Sequence, residues 1–224
     1  MNAFWIFLSI FIIASIVNIC AIFLGKEKIR WISKCLIIPP LLAAYIAGSE
    51  NLSIFPIPAL ILGWIGDVLL IRIEKRIHFL TGLASFLAGH LFYIITFAGI
   101  LGLFSYGGAA CNINIPAIAI FTPPAIVLGM IVFRLIKPTK AMYGPVIVYM
   151  AVLVTMNLFG FQVFLINPGI AGLLILSGCF NFMVSDTILA YYTFRKQKVY
   201  GAALVMIYYI LAQAEIVLGL LLLR

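Results

Sequence analysis

The chain has 224 residues, of which 66% are hydrophobic and 9% are charged. A water-soluble domain of this length needs far more polar surface than these residues supply, so the composition excludes one. The formal net charge of +8 does not indicate nucleic-acid binding, because thirteen of the fourteen lysine and arginine residues fall in four short clusters between apolar runs.

The apolar runs are long and continuous rather than alternating, which predicts an all-α, polytopic transmembrane bundle and not a β-barrel. A membrane span needs about 20 apolar residues. Charges and Gly/Pro breaks delimit eight predicted helices in a single integral-membrane domain over residues 1–224. Their predicted ranges are 3–24, 34–48, 53–73, 78–103, 114–136, 142–164, 168–194 and 199–223. The second is short and contains Pro39-Pro40, and Pro123-Pro124 predicts a kinked or broken fifth helix.

The basic residues predict how the chain is oriented in the membrane. The connections near 48–52, 105–114 and 165–168 contain no lysine or arginine, whereas the others are basic. The four basic clusters are Lys26/Lys28/Arg30/Lys34, Arg72/Lys75/Arg76, Arg134/Lys137/Lys140 and Arg195/Lys196/Lys198. Positive residues favour the cytoplasmic side, so we expect basic cytoplasmic loops and both termini on the non-cytoplasmic side. The expected location is a plasma membrane, such as the bacterial inner membrane, with the first apolar run retained as a helix.

Three acidic residues lie inside predicted spans, where ionisable groups are rare and usually functional. At 1.5 Å per residue, Asp67 lies roughly 7 Å from Arg72 along its helix, and Asp186 lies roughly 13 Å from Arg195. His90 lies roughly 18 Å from the start of its helix. These depths predict a polar layer in the cytoplasmic half of the bundle, to which Tyr149, Tyr209 and Gln213 also belong. Glu215 lies deeper, toward the outer leaflet.

Each polar residue also has a structural interpretation. Asp67 would serve as a pin if it accepted hydrogen bonds from Trp64 or from tyrosines. Asp186 follows a stripe of polar residues suited to interhelical hydrogen bonds, namely Ser177, Asn181 and Ser185. His90 follows an edge of small residues suited to close helix packing, namely Gly82, Ser85 and Gly89.

Two neighbouring buried carboxylates can form an acid/base pair, one protonated and the other ionised. Catalytic zinc sites usually have three protein ligands, and the chain contains only two histidines, His78 and His90. Two histidines are too few for the usual multi-histidine zinc site, and we expect neither a metal nor an organic cofactor. The sequence lacks a GxSxG elbow and a Walker loop. Proton-coupled transport of a small molecule remains open, because paired acids also carry protons.

Five short segments occur in one order along nearly the whole chain: SKCLIIP at 33–39, GWIGDVLL at 63–70, GLASFLAGHLFY at 82–93, SDTILA at 185–190 and YYILAQ at 208–213. Together with the surroundings of Tyr149, they resemble the lysoplasmalogenase family, the YhhN-like membrane proteins. Cys35 departs from the family pattern, in which proline often follows the lysine, and this leaves the role of Lys34 open.

The resemblance implies hydrolysis of the vinyl ether bond of lysoplasmalogens, which gives a fatty aldehyde and a glycerophospho-base. Vinyl ethers hydrolyse through an oxocarbenium ion, and glycosidases handle such an ion with two carboxylates. We therefore predict Asp67 and Asp186 as the catalytic pair, without deciding which is the acid. The residues expected to orient water and substrate are His90, Tyr93, Tyr149, Ser185, Tyr209 and Gln213.

Lys34 is predicted to pair with the lipid phosphate, although it would also fit as an ordinary cytoplasmic lysine. The expected partners are a lysophospholipid and the lipid bilayer, with no nucleic acid. Hydrolysis of another lysolipid, transport, or a purely structural bundle are the alternatives, and the oligomeric state and headgroup preference stay unspecified.

Overall fold

A computed structural model of the chain describes residues 2–50, 52–72, 76–104, 112–195 and 199–223. Within these ranges the protein forms nine α-helices and two short 3-10 turns, and the described residues include no strand. The helices are α1 Asn2–Phe23, α2 Glu27–Cys35, α3 Ile38–Gly48, α4 Pro56–Leu69, α5 Arg76–Ile100, α6 Ile115–Ile136, α7 Tyr143–Ile166, α8 Ile170–Arg195 and α9 Val199–Leu222. The 3-10 turns cover Leu70–Arg72 and Lys140–Met142.

The described part of the chain contains seven segments that are long and apolar enough to cross a membrane, with α2 and α3 counted together as Glu27–Gly48. The eighth apolar helix, α4, has 14 residues and therefore rises about 21 Å. Large apolar side chains are exposed along the helices, including Ile13 at 61% and Ile120 at 74%. Such surfaces suit a hydrocarbon surrounding and would be costly in water. The all-helical membrane class predicted from composition is confirmed.

The predicted second span was too short at its N-terminal end. Its charged first half was assigned to a loop, but Glu27–Cys35 forms the helix α2. This helix is amphipathic, and Ser33 is its buried residue. The helix is interrupted by a turn at residues 36–37, and α3 then begins with Pro39 and Pro40 in its first turn. Proline is tolerated there, because the first helical N–H groups have no acceptor within the helix.

A kinked or broken fifth helix was expected, and the structure shows no break. Pro123 and Pro124 lie inside α6, which is a single helix from Ile115 to Ile136. A proline removes one N–H donor from a helix, but the turns on either side keep their own hydrogen bonds. In α6 those turns are sufficient to continue the helix past both prolines.

The chain divides into two compact units, which we call unit 1 (Met1–Tyr93) and unit 2 (Ile94–Arg224). In unit 1, α1 packs on α2 and α3, and α4 packs on the same two helices. In unit 2, α8 is the central helix and packs on α6, α7 and α9. Three residues of the predicted cytoplasmic clusters lie outside the described residues, namely Lys75, Lys196 and Lys198. Most of the predicted outer connection 105–114 also lies outside them.

Candidate active site

Asp67 is a buried carboxylate on the inward face of α4. Its side chain is 2% exposed, and its Oδ1 lies 3.3 Å from the Nζ atom of Lys34. The buried face of α4 also includes Gly63 and Gly66, one turn and one residue before Asp67. A Cβ atom added to Gly66 would lie 2.7 Å from the ring of Phe86, so glycine is needed for α5 to approach. Asp67, an acid within an apolar stretch of sequence, therefore has a cationic partner.

Lys34, which was expected to contact lipid phosphate, lies at the end of α2. Its side chain is 17% exposed and forms the ion pair with Asp67 instead of extending away from the protein. An ammonium group has three N–H donors, so the contact with Asp67 leaves donors for a second anion. The contact with phosphate stays a prediction.

The hydrogen bond considered between Trp64 and Asp67 is not formed. Trp64 Nε1 donates to the backbone carbonyl oxygen of Cys35 at 2.8 Å. Cys35 is the last residue of α2, and the carbonyl groups in the last turn of a helix have no N–H donor within the helix. Trp64 therefore satisfies a carbonyl group at the end of α2 and not Asp67.

The edge of small residues on α5 packs as its spacing predicts. Ser85 Oγ donates to the carbonyl oxygen of Leu62 at 2.6 Å. A Cβ atom added to Gly89 would lie 3.2 Å from the carbonyl oxygen of Ala59, so the two backbones approach closely here. This packing buries the next predicted site residues along α5, His90 at 2% and Tyr93 at 1% exposure.

Asp186 in unit 2 has a tyrosine as its partner. The hydroxyl group of Tyr149 on α7 donates to Asp186 Oδ2 on α8 at 2.6 Å. Tyr149 is buried, whereas Asp186 is partly exposed. A short hydrogen bond of this kind is typical when the acceptor is a carboxyl group, and it fixes the orientation of the carboxyl plane.

The polar stripe on α8 forms interhelical hydrogen bonds, as its structural interpretation predicted. Asn181 Nδ2 donates to Glu215 Oε2 at 2.7 Å, and Ser185 Oγ donates to the carbonyl oxygen of Val205 at 3.1 Å. Both partners lie on α9, so these bonds join α8 to α9. Ser185, predicted as an orienting residue, therefore has a structural role in unit 2.

Tyr209 and Gln213 lie one turn apart on α9 and are both buried. Gln213 Nε2 donates to the Tyr209 hydroxyl oxygen at 3.4 Å, a long hydrogen bond. The ring of Tyr209 packs edge-on against Phe182 on α8, with ring centroids 5.7 Å apart. These residues thus form a buried polar pair supported by an aromatic contact, and their role in orienting a substrate stays a prediction.

Sequence reasoning missed Asn18 of α1. Its side chain is fully buried, and its amide nitrogen donates to the Arg30 carbonyl oxygen at 2.8 Å and to Ser33 Oγ at 3.0 Å. The available signal was an asparagine in the middle of an otherwise apolar span, where amides usually form interhelical hydrogen bonds. Among the described residues, no group of three or more His, Cys, Asp or Glu side chains is arranged to hold a metal ion.

The predicted residues thus form two groups, each within one unit. The first contains Lys34, Asp67, His90 and Tyr93, and the second contains Tyr149, Ser185, Asp186, Tyr209 and Gln213. Chemically, the first offers a carboxylate beside an ammonium, and the second offers a carboxyl group held by a phenol. That the two groups act on one substrate stays a prediction.

The model of the YhhN family matches residues 29–220 of the chain, from the start of α2 almost to the end of α9. No curated protein and no solved structure matches the chain.

Proposed function

The chain belongs to the YhhN family, the family that includes lysoplasmalogenases, and from this premise we propose that it is an intramembrane hydrolase of the lysoplasmalogen vinyl ether bond. The observation that carries the proposal is that both carboxyl groups lie on apolar helices and have close polar partners. Asp67 lies beside the Lys34 ammonium, and Asp186 accepts a hydrogen bond from Tyr149. A carboxyl group inside a membrane carries a high free-energy cost, and the partners of these two groups offset part of it.

The partners also support a division of roles. Asp67 forms an ion pair with Lys34 at 3.3 Å, which suits the role of an ionised carboxylate. Asp186 accepts from Tyr149 at Oδ2, and a proton on its Oδ1 leaves that hydrogen bond intact. We therefore assign the general acid to Asp186 and the ionised member of the pair to Asp67.

With both carboxyl groups acting on one substrate, as the sequence predicts, the reaction would proceed in three steps. Asp186 gives its proton to the alkenyl carbon that is β to the ether oxygen, and the α carbon and the oxygen become an oxocarbenium ion. The Asp67 carboxylate stabilises this cation and takes a proton from the water that attacks the α carbon. The hemiacetal that results then breaks its bond to the glycerol oxygen, which takes the proton now on Asp67, while the hemiacetal hydroxyl group gives its proton to Asp186. A fatty aldehyde and a glycerophospho-base with a free hydroxyl group leave, and both carboxyl groups return to their starting forms.

Purified protein in detergent, supplied with a lysoplasmalogen, tests this proposal. Mass spectrometry should find a fatty aldehyde, whereas ester hydrolysis of another lysolipid releases a fatty acid. We expect Asp67→Asn and Asp186→Asn each to reduce aldehyde release by at least about 100-fold, the usual scale of acid–base catalysis. Glu215→Gln is the matched control, because it also removes an acid inside a span and should retain activity.

Full aldehyde release by both aspartate variants would exclude the mechanism. Release of no aldehyde by the unaltered protein, together with uptake of a small molecule into proteoliposomes, would favour a transporter instead.

A further inference from the structure

Asn18 of α1 connects two helices through its side chain. Its Nδ2 donates to the Arg30 carbonyl oxygen and to Ser33 Oγ, both on α2. Ser33 is the buried residue of α2, and its own hydroxyl donates to the Ile29 carbonyl oxygen at 2.7 Å. The side chain of Asn18 therefore contacts α2 at two points on one face, within a turn of Lys34.

The orientation of the Asn18 amide follows from its partners. The Arg30 carbonyl oxygen can only accept, so the nitrogen must face it. The Asn18 Oδ1 atom is buried and has no hydrogen-bond partner among the residues that the structure describes. A buried acceptor without a partner costs free energy, and an apolar side chain at position 18 would avoid that cost. The contribution of this amide thus comes from its two donated hydrogen bonds.

The end of α2 is fixed on both sides of Lys34. Asn18 holds the preceding residue, Ser33, and Trp64 Nε1 holds the following residue, Cys35, through its carbonyl oxygen. The helix α2 ends at Cys35, and the next helix, α3, begins at Ile38. A nine-residue helix has little stability of its own in isolation, so contacts with its neighbours must set its rotation about its axis.

We propose that Asn18 is a positioning residue, which sets the rotation of α2 and thereby holds the Lys34 ammonium beside Asp67. It acts through Ser33 and the Arg30 carbonyl group and touches neither reacting carboxyl group. Asn18 precedes residues 29–220, the part of the chain matched by the family model. The catalytic consequence of this role rests on the proposed function, whereas the coupling of Asn18 to Lys34 does not.

A double-mutant cycle in detergent tests the coupling without any assay of activity. The change in the melting temperature caused by Asn18→Ala is measured in the unaltered protein and in Lys34→Met. If Asn18 holds Lys34 in place, part of its contribution is lost with the ammonium, and the decrease in Tm is clearly smaller in the Lys34→Met background.

Asn157→Ala is the matched control for this cycle. Asn157 is also buried, and its Nδ2 donates to the carbonyl oxygens of Leu153 and Cys179, which lie in unit 2. Its decrease in Tm should be the same with and without Lys34. Should Asn18→Ala not fold, Ser33→Ala replaces it, since this variant removes the acceptor that Asn18 binds. Equal decreases in the two backgrounds, for the variant that is used, overturn the proposal.

A second measurement separates positioning from general support of the fold. With aldehyde release as the assay, Asn18→Ala should lower kcat by roughly 10- to 100-fold at nearly constant KM, as expected for a misplaced catalytic group. Ser15→Ala is the control on the same helix, because Ser15 is buried and donates only to the Phe11 carbonyl oxygen of α1 itself. An unchanged kcat in folded Asn18→Ala would overturn the catalytic consequence. An unaltered protein that releases no aldehyde would overturn the proposed function, and the coupling would still be decided by the melting temperatures.

Discussion

At the scale of single residues, the ion pair between Lys34 and Asp67 is the central feature of unit 1. A carboxylate at 2% exposure pays a large desolvation cost, which the ammonium at 3.3 Å offsets. Such a pair contributes little net stability compared with an apolar pair, but removing one member leaves the other uncompensated. The pair is therefore expected to be far more sensitive to single than to double substitution.

Lys34→Met provides the corresponding prediction. The methionine keeps most of the length of the side chain but removes the charge, so we expect a loss of about 3–5 kcal/mol in the free energy of unfolding. Adding Asp67→Asn should recover much of this loss, because the amide carries no charge. Denaturant titration of both variants in detergent measures the difference.

Lys28→Met is the control, since Lys28 is an exposed lysine on the same helix. It should change stability by less than about 0.5 kcal/mol. A single Lys34→Met variant as stable as the unaltered protein would show that the pair is not formed in detergent.

The sequence was sufficient to find Asp67 and Asp186, because an acid in a long apolar run is unusual whatever its surroundings. It was insufficient to find their partners. Lys34 and Asp67 are 33 positions apart on different helices, and their contact depends on how α2 is rotated about its axis. That rotation is set by side chains such as Asn18 and Trp64, whose bonds to α2 leave no periodic pattern in the sequence.

At the scale of helices, glycines determine how closely α8 and α9 approach. A Cβ atom added to Gly178 would lie 2.9 Å from the Ala212 carbonyl oxygen and 3.0 Å from the Ile216 nitrogen. One added to Gly219 would lie 2.8 Å from the Ala171 carbonyl oxygen. Backbone atoms cannot move aside as a side-chain end can, so these two glycines fix the separation of the helices that carry Asp186, Tyr209 and Gln213.

Gly178→Ala is therefore predicted to force α8 and α9 apart. We expect a loss of about 1–3 kcal/mol in the free energy of unfolding, the usual cost of overpacking. Gly144→Ala is the control, because nothing lies within 4 Å of a Cβ atom added to Gly144 in the first turn of α7. This control should be neutral or more stable by up to about 1 kcal/mol, since alanine favours a helix over glycine. Denaturation of the two variants in parallel would contradict the prediction if Gly178→Ala were the more stable.

Helix positions were more predictable than helix contacts. Each long apolar run became a helix, because a backbone in hydrocarbon must satisfy its hydrogen bonds within the segment. The charged stretch of α2 was wrongly predicted as a loop. Charged residues are compatible with a helix that has one exposed face, and α2 is such a helix. The GxxSxxxGH edge of α5 was predictable in its packing, because small residues at helical spacing have few other uses in a membrane.

At the scale of the whole molecule, the basic clusters predict which connections lie in the cytoplasm. Glu50 follows α3 in a connection without lysine or arginine, and Thr139 lies between Lys137 and Lys140 in the connection from α6 to α7. Retention of positive loops on the cytoplasmic side places these two exposed positions on opposite sides of the membrane. With all eight apolar helices crossing the membrane, the same rule predicts both chain termini outside.

Single cysteines at these positions test the orientation. In a variant that lacks the native cysteines, Glu50→Cys should react with a membrane-impermeant maleimide in intact cells, because its connection faces outward. Thr139→Cys should react only after the membrane is permeabilised, because Lys137 and Lys140 hold its connection in the cytoplasm. If Thr139→Cys reacted in intact cells and Glu50→Cys did not, the chain would have the reverse orientation. Asp67 and Asp186 would then lie in the outer half of the membrane. A lysolipid would then have to reach these carboxyl groups from outside the cell, so the orientation also decides which leaflet supplies the substrate.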